Sequence, residues 1–370
     1  VIIMPFEDYN FNLKERMMQM KNMSKTAIIY AILAAALYAV NIPLSKLLLN
    51  NIPPTLMAGF LYLGAGIGIS LLSIIHKEKD ETQKLTKAEL PYTLGMIVLD
   101  IAAPIFLMFG LTMTNSANAS LLNNFEIVAT SIIALVCFKE IISPKLWTAI
   151  LFITVSTIIL SFEDMSAFTF SKGSLLILCA CVCWGFENNC TRKLSSKSST
   201  EIVVLKGLFS GMGSLIIGLV IRESLPNIKF ILITLILGFV SYGLSIKFYI
   251  MAQKYLGAAK TSAYYAISPF LGVIFSFALF GTAIEINFYI ALVLMIIGTV
   301  LVTHDTIQLQ HSHEHIHIHT HMHTHSNGVT HCHEHSHTHS HLHVHNSNAE
   351  EHSHTHKIEN LPIHNHIHTV

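Results

Sequence analysis

"ANASLLNNFEIVATSIIALVCF", residues 117–138, returns 142 positions later as "AKTSAYYAISPFLGVIFSFALF", residues 259–280. Ala117 matches Ala259, Ser120 matches Ser262 and Phe138 matches Phe280, and Ala149/Ala291 and Thr157/Thr299 hold the register into the next segment. Each copy is long and apolar enough to cross a hydrocarbon layer of about 30 Å as a helix. Only a helix or a closed barrel satisfies its backbone hydrogen bonds inside lipid, so the duplication is read as a duplicated membrane span.

Working outward, runs of about 20 apolar residues fall at 26–49, 55–76, 91–113, 117–138, 144–162, 173–191, 202–221, 230–251, 259–281 and 285–303. A weaker echo links "YAVNIPLSK" (38–46) with "WGFENNCTR" (184–192): an aromatic, a small residue, a polar middle and a base eight positions on. The chain then divides into an N-terminal segment (1–25), a first five-span repeat (26–162), a second (173–303) and a tail (304–370). Five is odd, so the second repeat enters the membrane from the opposite side. The expected fold is an all-α integral membrane protein with ten transmembrane helices in two inverted five-helix repeats. Inverted repeats are the architecture of secondary transporters, with the substrate site near the midplane between halves.

Orientation follows the Lys/Arg bias. With the N-terminus in the cytoplasm, the inner loops hold Lys77, Lys79, Lys84, Lys87, Lys139, Lys145, Arg192, Lys193, Lys197, Lys254 and Lys260; the outer loops hold Lys172, Arg222 and Lys229. Both termini are expected on the cytoplasmic side of the plasma membrane. The sequence begins at Val1, and Met23, just ahead of the first apolar run, is the expected start. Residues 1–22 lack a cleavage pattern, so the first span is read as an uncleaved anchor.

Polar side chains inside a bilayer are costly and are functional candidates by default. Asn41, Asp100, Asn123, Asn124, Glu126, Trp184, Glu187, Asn188, Asn189 and Lys247 stand out in the spans. A carboxylate at Glu126 or Glu187 can bind a substrate amine or exchange a proton, since burial favours the neutral form. Lys247 can instead snorkel to the interface. Ser268-Pro269 is expected to break the ninth span, because proline removes a backbone bond, and Tyr264 and Tyr265 beside it offer aromatic lining. Cys179, Cys183, Glu187 and Cys190 share one helical face; such a stripe can pass a soft metal, but cysteines in apolar segments are more simply packing residues.

The histidines are segregated: all but His76 and His304 lie after residue 310. His311, His313, His315, His317, His319, His321, His323 and His325 alternate with other residues, and His331, His333, His335, His337, His339, His341, His343 and His345 repeat the pattern 20 residues on. Neutral imidazole ligates Zn, Ni, Co and Cu, so the tail reads as a loose metal-binding tract. The H-E-x-x-H matches at His313–His317 and His333–His337 are by-products of alternation, not a protease signature. Lacking an apolar core, the tail is expected to be disordered.

"CWGFENNCTRK" (183–193), "GLTMTNSANASLLNNFEIVATSIIALVCFKEIIS" (110–143) and its echo "YLGAAKTSAYYAISPFLGVIFSFALFG" (255–281) resemble, in order, spacing and duplication, the drug/metabolite transporter superfamily, in particular proteins with two EamA domains. Ile127 stands where that family usually has proline, and Ala39 where it has glycine. The resemblance implies a ten-helix permease for small metabolites, often amino acids or related compounds, with no required cofactor. Its partners would be a small-molecule substrate, the lipid bilayer and, on the tail, transition-metal ions. Two other readings stay open: a divalent transition-metal transporter, and a non-transporting membrane sensor or store of metal. No nucleophile–base pair, phosphate loop or cofactor motif points to an enzyme, and no sizeable basic patch points to nucleic acid.

Overall fold

The computed structural model describes residues 25–75, 86–138, 142–164, 169–194, 198–281, 285–324, 330–344, 351–356 and 364–369. The chain divides into two units, residues 1–304 and 305–370. The first is nearly all helical. Among the described residues nine helices are long and apolar enough to cross a membrane: α1 Lys25–Leu48, α2 Pro54–Ile75, α3 Lys87–Met113, α4 Ser116–Cys137, α5 Pro144–Ser161, α6 Lys172–Lys193, α7 Thr200–Val220, α8 Ile228–Gln253 and, after the shorter α9 (Ser268–Phe280), α10 Ile286–Asp305.

Local chemistry sets the helix ends. Asn115, Ser143 and Ser171 cap α4, α5 and α6, each side-chain oxygen accepting from the backbone N–H three residues on. Pro144 occupies the first turn of α5, where its missing N–H costs nothing. Gly281 ends α9 at φ +55°, a left-handed conformation open to glycine at little cost. Two caps reach across the fold. The Glu223 carboxylate accepts from Thr55 N at 3.1 Å and Leu56 N at 2.9 Å, at the positive end of α2. The Lys46 ammonium donates to the carbonyls of Leu111 at 2.5 Å and Thr114 at 2.9 Å, at the negative end of α3.

Helix α2 runs against α7 and α8 at backbone distance. A carbon added at Gly66 would stand 2.7 Å from Leu208 N, and one added at Gly207 would fall on the backbone of Gly66, so each glycine is the space the other needs. Both partner helices loosen into a π-turn along α2, at Lys206–Ser210 and at Phe239–Leu244. Single π-turns frequently mark functional positions.

The expected ninth span, 259–281, is not one helix. Helical backbone continues unbroken over Ser245–Tyr265, and α9 starts afresh at Ser268 with Pro269 in its first turn. Proline cannot continue a preceding helix, and Ala266–Ile267 form the break. The chain nevertheless reverses where a connection was expected. Tyr249 Oη and Ser262 Oγ are 2.7 Å apart, although a straight helix would separate these residues by about 20 Å. Ser245 Oγ and Ser268 Oγ likewise donate to neighbouring carbonyls of α1, Ala34 at 2.8 Å and Ala35 at 3.0 Å. The reversal is therefore made within helical backbone. A matching break interrupts α4 at Asn123–Asn124.

Small strands complete the chain: β1 (Phe162–Asp164) pairs β2 (Thr169–Phe170) ahead of α6. In the second unit, β3 (Gln310–Thr324) pairs antiparallel with β4 (Thr330–Val344), and β5 (Glu351–His356) with β6 (His364–Thr369). The register sets histidine opposite histidine from His311↔His343 to His323↔His331. The pairing follows the period of the sequence: alternation by two is the repeat of a strand. His325 and His345 lie outside the described residues, as do the tail side chains.

Replacing Gly207 by alanine should cost about 1–3 kcal/mol by overpacking the α2–α7 contact. Gly95→Ala, where the new carbon would meet the Cys190 sulfur at 3.3 Å, should be neutral or stabilising through helix propensity. Thermal unfolding of the two variants in detergent gives the comparison.

Candidate functional site

Lysine 206 opens the π-turn of α7 and reaches two acids on different helices. Its ammonium lies 2.6 Å from Glu187 Oε1 on α6 and 3.4 Å from Asp100 Oδ2 on α3. Both carboxylates are buried, at 2% and 1% exposure, so the ion cluster sits inside the helix bundle rather than on its surface. The two acids are held unequally. Glu187 Oε1 also accepts from the Thr191 hydroxyl. Asp100 Oδ1 accepts from the Tyr62 hydroxyl at 3.0 Å, whereas Asp100 Oδ2 has no hydrogen-bond partner among the described residues. At 3.4 Å the ammonium attracts Oδ2 by charge without a well-formed hydrogen bond.

Aromatic residues extend the cluster. Trp184 Nε1 donates to Tyr62 Oη at 3.4 Å, giving a relay Trp184→Tyr62→Asp100. The Tyr62 ring lies 5.2 Å from Tyr242 in the second π-turn; Tyr242 lies 5.7 Å from Tyr38, Tyr38 5.9 Å from Tyr265, and Tyr265 5.1 Å from Tyr249. Asn41 Nδ2 donates to Tyr242 Oη at 3.0 Å and its oxygen accepts from Ser45. A polar and aromatic seam thus runs through α1, α2, α3, α6, α7 and α8.

Glu126 follows the break in α4. Asn188 Nδ2 donates to Glu126 Oε1 at 2.7 Å and lies 3.2 Å from Thr130 Oγ1. Asn189 is spent on packing, donating to the carbonyls of Thr130 and Gly185. Asn123 and Asn124, at the break, are buried, and Asn123 Oδ1 and Asn124 Nδ2 have no hydrogen-bond partner among the described residues.

Of the residues singled out from sequence, Asn41, Asp100, Trp184 and Glu187 join this seam, and Glu126 and Asn188 pair with each other. Tyr265 belongs to the tyrosine run, while Tyr264 is exposed. Ser268 anchors α9 to α1, and Pro269 shapes the break. Lys247 is half-buried; the cation that meets the buried acids is Lys206. Lys206 lies inside the apolar run 202–221, and the rule that flagged Lys247, a charge within a span, would have found it. Tyr62, Tyr242 and Thr191 carried no comparable signal. The cysteine stripe does not assemble: Glu187 is engaged by Lys206, and among the described residues no three His, Cys, Asp or Glu side chains gather as a metal site.

A cleft of about 260 Å³ opens at the other end of α6, lined by Thr114, Asn115, Asn118, Ser171, Ser174, Glu285, Asn287 and the rings of Phe162, Phe277 and Phe288. Ser174 and Glu187 stand on the same helix, about 20 Å apart along its axis. The cleft thus lies at one end of the bundle, and the ion cluster lies deeper, about 20 Å away along α6.

Replacing Lys206 alone by methionine leaves two acids buried without a cation and should destabilise the protein by about 3–5 kcal/mol. Adding Asp100→Asn and Glu187→Gln removes the stranded charges and should recover most of the loss. Urea unfolding of the single and triple variants in detergent reads the difference; equal stability of the two would show that the buried charges do not govern it.

The EamA-like transporter family matches residues 25–162 and again 171–304. An uncharacterized transporter of Methanothermobacter thermautotrophicus is 22% identical over 287 residues, 72% of this chain and 83% of the relative. The uncharacterized transporter YyaM of Bacillus subtilis is 26% identical over 266 residues, 69% of this chain and 86% of the relative. A solved crystal structure shares the fold with a TM-score of 0.57 at 15% identity, covering 77% of this chain and 98% of its own. Matched once on each half of its helical unit, this multi-pass membrane protein belongs to the EamA-like transporter family.

Proposed function

We propose that the protein is a secondary carrier that moves a small polar metabolite, such as an amino acid or related compound, across the plasma membrane by alternating access. The observation that carries this reading is the buried Asp100–Lys206–Glu187 cluster, set about 20 Å along α6 from a polar cleft at one end of the bundle. A charged cluster inside a bundle is expensive, and residues of this kind mark substrate or ion paths. Here it closes the path at depth while the cleft admits solute at the end.

Ten spans in two inverted halves give the motion its frame. Two features support them: the reversal of the chain between Tyr249 and Ser262, and the breaks at Asn123–Asn124 and Ala266–Ile267, which fall within one residue of the 142-residue offset between the copies. Interrupted helices at equivalent places are where carriers of this build hold substrate, because freed backbone groups and side-chain amides face the path. The unpartnered amide atoms of Asn123 and Asn124 are suited to a solute with both donors and acceptors. The Lys/Arg bias puts both termini in the cytoplasm.

The tail is read as an accessory that binds Zn, Ni, Co or Cu. Its imidazoles ligate metal when neutral, so acidification through about pH 6.5 releases the ions. The metal-carrier alternative draws no support from the described spans, which hold no metal cluster.

Uptake of radiolabelled amino acids and of zinc into vesicles holding the purified protein tests the reading. The expected outcome is amino-acid flux that falls at least about tenfold in Asp100→Asn, a loss of about 1.4 kcal/mol or more in transition-state stabilisation. Truncation after Thr303 should leave that flux in place and remove its response to zinc. Zinc flux that survives truncation, with no amino-acid flux, would sink the metabolite reading.

A further inference from the structure

The ion cluster is unbalanced in a way that assigns a ligand to it. One ammonium, Lys206, faces two carboxylates, Asp100 and Glu187, and these are held differently. Glu187 Oε1 receives the ammonium at 2.6 Å and the Thr191 hydroxyl, two donors suited to an ionised oxygen. Asp100 receives the Tyr62 hydroxyl on Oδ1, but its Oδ2 is buried with no hydrogen bond and the ammonium stands back at 3.4 Å. An anionic Oδ2 met only by charge at 3.4 Å is costly in an apolar interior, and one proton on it removes that cost. It leaves a one-to-one pair of Lys206 with Glu187.

We propose that Asp100 is an exchangeable proton-binding site and that Lys206 is the arm that answers its state. With the proton on Oδ2, Lys206 rests on Glu187, in keeping with the shorter of its two distances, 2.6 Å. When the proton leaves to water, Asp100 becomes an anion beside a resident cation, and Lys206 is drawn from α6 toward α3. No covalent bond to carbon changes; one proton enters or leaves, and the ammonium keeps its own. Glu126 is a different case, because it is met by the Asn188 amide and the nearby ammonium is engaged by the other two acids. That the proton drives transport rests on the carrier reading; that Asp100 binds it does not.

The groups facing Asp100 can be named from every element packed on its helix. Tyr62 comes from α2, Glu187 and Cys190 from α6, with Arg192 and Lys193 at the end of that helix, and Lys206 from α7. Lys46 of α1 is committed to carbonyls at the far end of α3, and Lys87 and Glu89 form its first turn. The segment Ser116–Leu122 of α4 brings no titratable side chain.

The relay Trp184→Tyr62→Asp100 supplies a reporter that needs no substrate. The chain has two tryptophans, and Trp147 is half-exposed, so the full-length Trp147→Phe protein in lipid vesicles isolates the emission of Trp184. Titrated from about pH 5 to about pH 9, that emission should show one transition. Asp100→Asn should abolish it, and Glu126→Gln should leave it in place. Glu187→Gln removes a negative neighbour and frees Lys206 for Asp100, so the transition should persist with its midpoint displaced by about one unit or more. A transition that persists in Asp100→Asn, one that Glu187→Gln abolishes, or no transition in the parent would each overturn the proposal. If Asp100→Asn does not fold, a midpoint that Glu187→Gln displaces supports the proposal and one that it leaves unmoved overturns it. Because no solute is used, a failed titration is distinct from a failed transport assay.

Discussion

One ammonium inside the bundle, that of Lys206, fixes the positions of three helices at once. A charge in hydrocarbon must be met by opposite charge or by dipoles, and water is not there to do it. Lys206 on α7 therefore draws Glu187 of α6 and Asp100 of α3 to itself, and Asp100 in turn takes the hydroxyl of Tyr62 on α2. The next residue along α7, Gly207, is the one that touches the backbone of α2 at Gly66. Close approach and charge pairing are thus neighbours in the chain. The glycine lets α7 approach α2, and the π-turn that begins at Lys206 alters the side-chain directions an ordinary helix would impose.

The contact of α8 with α2 repeats this logic with different chemistry. Here α8 loosens into a π-turn against α2 at Tyr242, and aromatic contact replaces charge: Tyr62, Tyr242, Tyr38, Tyr265 and Tyr249 follow one another at ring separations between 5.1 and 5.9 Å. Tyrosine suits such a place because its ring packs as an apolar body while its hydroxyl still finds a partner, as Tyr62 does on Asp100 and Tyr249 on Ser262. The run links the break near Ala266 to the ion cluster through side chains in contact. A shift at one end has a physical route to the other, without any single residue spanning the distance.

Much of the helical frame was legible in the residues, because hydropathy reports a bilayer directly and Ser, Asn and Pro mark where helices start. The break before α9 was legible at Pro269 for the same reason. Its partner at Asn123–Asn124 was not read as a break, since asparagine serves caps, turns and polar contacts alike. The reversal between Tyr249 and Ser262 was expected as a connection, yet it is made in helical backbone: "YLGAAKTSAYY" has no proline, and its alanines favour helix. Among site residues, acids inside spans announced themselves, whereas Tyr62 and Tyr242 did not, because tyrosine is equally at home at a membrane interface. Lys206 shows a different failure. The signal was present, but a single sequence does not say which lysine in a span points inward, and Lys247 drew the attention. In the tail, the alternation by two matches the period of an extended strand, but no apolar face rewards pairing.

A carrier has to keep its charges covered in every state it visits, and the ledger of charge at Asp100, Lys206 and Glu187 says how few states that leaves. Two acids and one base cannot all be charged and all be neutralised. In the proposed alternating access, opening at the cluster would part α3, α6 and α7, and parting would strip Lys206 from at least one acid. If Asp100 carries a proton, α3 can leave without exposing an unpaired anion to lipid, and Lys206 travels with Glu187 as a neutral pair. If Asp100 is an anion, α3 and α7 are bound together by the ammonium and the cluster stays shut. The barrier to motion is then set by one proton on one oxygen, Asp100 Oδ2, which no hydrogen-bond donor among the described residues satisfies. An orphaned acceptor in a core usually lowers stability and nothing more. Placed between helices that separate in the proposed cycle, it would make their separation depend on the supply of protons.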